Sequence, residues 1–120
     1  LYSVLKAAVS HYTRMAGIEL GPHSIRVNTI SPGAIATPIF WGGSARANTL
    51  TDEDNERKMQ KLQANLSRAT PLPRSGLSKD IAEAALFLAS DAGSYVNCHD
   101  LVVDGGRTSM FMEPPVPGSS

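Results

Sequence analysis

Only one of the 120 residues is a cysteine, Cys98, so no internal disulfide can form. A lone thiol fits a reducing, intracellular setting, and a cytoplasmic location is expected. No apolar run approaches the roughly 18 residues that a membrane-crossing helix requires, and no signal-peptide pattern is visible. Neither sign of charge is in excess: 11 Lys and Arg balance 11 Asp and Glu. There is no basic stripe of the kind that binds nucleic acid or a membrane surface, and neither partner is expected. His11, His23 and His99 stand too far apart to form a close metal-ligand spacing, and no metal is expected. No internal repeat is present.

What remains is an ordinary globular composition, with 42% hydrophobic and 18% charged residues. Hydrophobic periodicity predicts a helix over residues 1–20, with Leu5, Val9, Tyr12 and Met15 as its apolar stripe and Gly21-Pro22 as its stop. Residues 24–30 alternate as a short strand, ended by Ser31-Pro32-Gly33. Residues 34–50 read as irregular or weakly helical. Thr51 caps a helix to about residue 67, whose acidic first turns precede Arg57, Lys58 and Lys61, an order that complements the helix dipole. A loop over residues 71–76 leads to a helix capped by Ser78 and broadly apolar to about residue 90. Leu101-Val102-Val103 form a buried type of strand closed by Asp104-Gly105-Gly106. Helices separating single strands predict an α/β fold with a parallel sheet. Two strands make a small sheet with edges that need cover, and the chain starts inside a helical pattern. A fragment of a larger domain is therefore expected.

Tyr2 and Lys6 lie four residues apart on the first helix, hence on one face. A free phenol, with a pKa of about 10, exchanges protons poorly at neutral pH, and a nearby ammonium favours the phenolate. A phenol so assisted can give a proton to a ketone oxygen or take one from an alcohol. A Tyr and a Lys at this spacing also occur on ordinary solvated helix faces. The pair gains weight from three stretches of the chain taken together.

Residues 2–9, Tyr-Ser-Val-Leu-Lys-Ala-Ala-Val, resemble the active-site helix of the short-chain dehydrogenase/reductase family. Residues 25–38, Ile-Arg-Val-Asn-Thr-Ile-Ser-Pro-Gly-Ala-Ile-Ala-Thr-Pro, resemble its next strand and Pro-Gly loop. Residues 101–106, Leu-Val-Val-Asp-Gly-Gly, resemble its closing strand. The three come in the family's order and cover the chain to about Gly106. The resemblance implies the C-terminal half of a Rossmann-like, parallel-sheet subunit over residues 1–107; the Pro-, Gly- and Ser-rich composition of residues 108–120 predicts a flexible tail. The resemblance also implies an oxidoreductase that moves hydride between NAD or NADP and a secondary alcohol or ketone. Tyr2 would be the acid/base, and Lys6 would assist it and hydrogen-bond the nicotinamide ribose. Pro32 and Gly33 would form the loop beside the ring, and Ile35 and Thr37 would hold the carboxamide. Phe40 and Trp41 would line a substrate pocket or pack in the core, and Gly42-Gly43 would act as a hinge.

The sequence departs from the family in several places. The Gly-rich loop that seats a dinucleotide pyrophosphate and the family's Asn-Asn-Ala-Gly segment do not occur in this chain, and none of its residues matches the family's catalytic serine. NAD and NADP are therefore not distinguished. Asn97-Cys98-His99 replaces a turn that often contains glycine. The chain is expected to self-associate or to pair with a missing N-terminal half. The alternative is a non-catalytic fragment or association module that does not bind cofactor.

Overall fold

The computed structural model describes residues 1–110. The chain runs α1 (Tyr2–Leu20), β1 (Thr29–Pro32), α2 (Gly43–Ala47), α3 (Asp52–Ser67), α4 (Ser78–Ala89) and β2 (Asp100–Val103), with 3-10 turns at Gly21–His23, Pro38–Trp41, Asp91–Gly93 and Arg107–Ser109. β1 and β2 pair in parallel, Thr29 opposite Asp100 and Pro32 opposite Val103. The expected α/β class and parallel sheet are both present. Among the described residues, no helix is long and apolar enough to cross a membrane.

α4 packs on both strands, with Leu88 buried at 8% exposure. The reading of its cap is corrected. Leu77, not Ser78, is the N-cap, and the Asp80 carboxylate reaches back to accept the Leu77 N–H at 2.8 Å. A carboxylate at the third helical position is charged and long enough to reach back to the N-cap amide, in the manner of a capping box. At α3 the expected cap is present: Thr51 Oγ1 accepts the Asp54 N–H at 3.1 Å.

Two further expectations are corrected. β1 begins at Thr29, five residues later than predicted, because side-chain hydrogen bonds interrupt the regular ladder before it, although the Cys98 N–H still donates to the Val27 carbonyl. Asn97 Oδ1 accepts the Val27 N–H, Asn28 Oδ1 accepts the His99 N–H, and Asn28 Nδ2 donates to the Val96 carbonyl. The apolar stripe of α1 is also not its packed face. Leu5, Val9, Tyr12 and Met15 are exposed, and Thr13, Ala16 and Gly17 are buried instead. Small residues let the helix backbone approach the 97–98 turn: a Cβ at Gly17 would stand 2.5 Å from Cys98 Sγ. The α-helix ends at Leu20, as expected from Gly21-Pro22. The chain tightens into a 3-10 turn there and breaks at Ser24, whose φ is 60°.

The radius of gyration is 18.2 Å, against about 13 Å for a compact domain of this length. The elements are spread, and α1 leaves its apolar face to solvent. Thr108, at the start of the expected flexible tail, is tied down: its N–H and hydroxyl both donate to the Asp104 carboxylate. Residues 111–120 of that tail lie outside the described residues.

Candidate active site

The Pro-Gly loop leaves the carboxyl end of β1, where open α/β sheets bind ligands. The Gly33 N–H donates to the Val103 carbonyl at 2.9 Å. A Cβ at Gly33 would stand 2.6 Å from the Asp104 Cβ, so glycine is required there by close approach of the two strand ends. Beyond it, Ile35 forms an isolated parallel bridge with Gly76, and the Ala36 N–H donates to the Gly76 carbonyl at 2.9 Å. Ala36 is buried at 4% exposure, so its side chain anchors the loop. In this bridge the N–H and C=O of Ile35 itself take no part, and neither has a hydrogen-bond partner among the described residues; nor has the Thr37 hydroxyl.

A cavity of about 470 Å³ lies beside this loop. Pro32, Gly33, Ile35 and Thr37 line one side. Phe40, from the following 3-10 turn, and Ser78 and Ile81, from the first turns of α4, line the other. A donor, an acceptor and a hydroxyl against an apolar wall can fix an amide and exclude water from the ring that carries it. Sequence reading missed Ser78 and Ile81 as lining residues. Their only signal was that a helix N-terminus follows the loop. Trp41 does not line this cavity; its indole Nε1 is buried and has no acceptor among the described residues.

Tyr2 and Lys6 share a face of α1, with the Lys6 ammonium 5.8 Å from the centroid of the Tyr2 ring, within cation–π range. Tyr2 is 73% exposed, and neither residue lines the loop cavity. The tyrosine–lysine helix face and the Pro-Gly loop cavity are thus separate features of the described residues.

On the other side of the loop, Arg74 and Asp80 pair through two hydrogen bonds of 2.8 Å each. The Arg74 guanidinium, and then the Leu77 N–H, hold the Asp80 carboxyl down at about 2. Asp104 is also held below the usual carboxylate range, by the Thr108 hydroxyl and by the N–H groups of Thr108 and Gly106. No group of three potential metal ligands occurs among the described residues.

The chain is similar to known proteins. The family model for enoyl-(acyl carrier protein) reductase matches residues 1–108. Momilactone A synthase of Oryza sativa subsp. japonica is 44% identical over 105 residues, which are 88% of this chain and 35% of that protein. The 7alpha-hydroxysteroid dehydrogenase of Escherichia coli (strain K12) is 41% identical over 105 residues, covering 88% and 36%. Among solved structures, a 3-oxoacyl-(acyl-carrier protein) reductase with bound NAD from Brucella melitensis superposes with a TM-score of 0.62 at 34% identity. It covers 88% of this chain and 32% of its own. The chain therefore spans about a third of the length of the proteins it matches. It belongs to the short-chain dehydrogenase/reductase family of oxidoreductases.

Proposed function

We propose that the protein containing this chain interconverts a secondary alcohol and a ketone with NAD or NADP. The observation that carries this reading is the cavity at the Pro-Gly loop, where the Ile35 N–H and C=O and the Thr37 hydroxyl stand unused. A carboxamide needs one donor and one acceptor, which Ile35 supplies from a single residue. The residues present fit a nicotinamide, and the similar reductase with bound NAD supports the same cofactor class. When bound, that group supplies or accepts the hydride. Tyr2 gives its phenolic proton to the carbonyl oxygen, or takes one from the alcohol in reverse, with the Lys6 ammonium beside its ring. Phe40 gives the site an apolar wall, suited to an apolar ketone or secondary alcohol.

Tyr2 and the loop cavity act together only when the rest of the sheet holds α1 against the loop. We read the exposed apolar face of α1 as the surface that an N-terminal half, or a second copy, covers. The same face favours a second reading, a non-catalytic association module. Intact mass of the purified protein, together with NADH and NADPH oxidation over a ketone panel, separates the two. A larger species whose turnover falls by about a thousandfold or more in Tyr2→Phe supports the enzyme reading. Full activity in Tyr2→Phe removes this mechanism, and a 120-residue species that binds neither nucleotide favours the module.

A further inference from the structure

We propose that Arg74 and Asp80 are positioning residues for the cofactor: their ion pair holds Gly76 against Ile35 and so sets where the Ile35 backbone meets the nicotinamide. This rests on the nicotinamide reading of the loop.

One carboxylate closes a small ring of chain. Asp80 Oδ1 and Oδ2 each accept a guanidinium N–H of Arg74 at 2.8 Å, and Oδ2 also accepts the Leu77 N–H at 2.8 Å. Arg74 Nη1 additionally donates to the Ser75 carbonyl at 3.0 Å. Residues 74 and 77 are thus tied to the same group, and Ser75 and Gly76 are held between them. Ser75 is 5% exposed, so the stretch is seated as well as bracketed. Gly76 then accepts the Ala36 N–H and bridges Ile35. Contact there is tight, since a Cβ on Gly76 would stand 2.5 Å from Ile35 Cδ1 and 3.2 Å from the Ala34 carbonyl oxygen. The path from carboxylate to Ile35 contains no flexible side chain other than the pair itself.

The pair is poorly explained as a stability device. Its side chains are 57% and 28% exposed, and ion pairs so placed contribute little. A bidentate guanidinium–carboxylate pair, by contrast, fixes direction and distance together. The competing role is that Asp80 only caps α4.

The test uses the full-length protein that contains this chain, with Asp80→Asn, Arg74→Lys and Gly76→Ala. Gly76→Ala disturbs the far end of the path and leaves the ion pair intact. Asp54→Asn, which removes the Arg57–Asp54 pair on α3, is the control. The readouts are amide exchange at Ala36 and in α4, and titration with NADH and NADPH. In Asp80→Asn and Gly76→Ala, Ala36 exchange is expected to accelerate about tenfold, with Leu86 and Leu88 amides unchanged. Nucleotide dissociation constants are expected to rise about tenfold, with kcat at saturating cofactor unchanged within about twofold. Arg74→Lys, which keeps the charge and loses the fork, is expected to fall between these and the wild type.

Faster exchange confined to α4, with unchanged nucleotide affinity, would mean a cap alone and overturn the proposal. So would unchanged Ala36 exchange and affinity in both Asp80→Asn and Gly76→Ala. A wild type that binds neither nucleotide removes the underlying reading, and the positioning role falls with it. A wild type that binds, with variants that bind equally well, removes only the positioning role.

Discussion

Asn97 clasps Gly17 from eighty residues away. Its amide nitrogen donates to the Gly17 carbonyl at 3.0 Å, and its amide oxygen accepts the Val27 N–H at 3.0 Å. One side chain thereby fastens α1 to the approach of β1, and α1 carries Tyr2 and Lys6.

Gly17→Ala sets two effects against each other. Alanine favours a helix interior by about 1 kcal/mol over glycine. The added Cβ would stand 2.5 Å from Cys98 Sγ and 2.8 Å from Asn97 Oδ1, and overpacking of that kind costs about 1–3 kcal/mol. The expected outcome is a lower urea midpoint with an unchanged m-value. A raised midpoint would show that α1 is not seated on the 97–98 turn.

Cys98 occupies a left-handed backbone conformation, φ 57°, which disfavours an L-residue by about 1–2 kcal/mol. Glycine removes that strain and gives back about 0.5–1 kcal/mol in unfolded-chain entropy. It also gives up the weak contact from Sγ to the Arg14 carbonyl. Cys98→Gly is therefore expected to leave stability level or raise it slightly, and Cys98→Val to lower it. Thermal melts of the two variants check the order, and a Cys98→Gly protein clearly less stable than Cys98→Val would refute the backbone assignment.

The Asp80 carboxyl sits at about 2 in the folded chain, below its ordinary value of 3.8. A depressed carboxylate contributes stability above its unfolded value and loses that contribution as the pH falls toward its folded value. Because the pair is exposed, the stability gap between wild type and Asp80→Asn is expected to be small, flat from pH 8 to about pH 5, and to shrink between about pH 4 and pH 2. Asp104 shifts in the same direction, so the gap to Asp104→Asn is likewise expected to shrink on acidification. Denaturant unfolding at stepped pH reads both, and a gap that widens on acidification would contradict the pairing.

Thr37 offers one unengaged hydroxyl at the loop cavity. Removing one neutral hydrogen bond to a ligand is worth about 0.5–1.5 kcal/mol. Thr37→Ala in the full-length protein is therefore expected to weaken NADH or NADPH binding about threefold to tenfold, and Thr37→Ser to restore it. Equal affinity in all three would take Thr37 out of the cofactor site.

The sequence was most legible where structure is decided locally. The Thr51 cap and the charge order of α3 act within one helix, and the helix stands where they put it. The start of β1 was not legible, because what interrupts the regular ladder there is the side chains of Asn28 and Asn97, the latter distant in sequence. The packed face of α1 was misread for a related reason. The strongest apolar periodicity picked Leu5 and Val9, whereas contact with the 97–98 turn selects the smallest residues. At the site, the motifs located the Pro-Gly loop. The residues beside it, Gly76, Arg74 and Asp80, carry no periodic signal and become visible only when the loop over 71–76 is seen against Ile35.

The parallel register of β1 and β2 has a kinetic side. Thr29 and Asp100 meet across 71 residues, and closing a loop of that length costs roughly 4 kcal/mol of chain entropy before any contact compensates for it. α3, built from neighbours, can form on the microsecond scale of isolated helices. The strand pair must wait for the rarer encounter. Gly33 can dock on Val103 only after that encounter, so the Pro-Gly loop is among the last parts of the chain to take shape and the first exposed to a slow-folding variant.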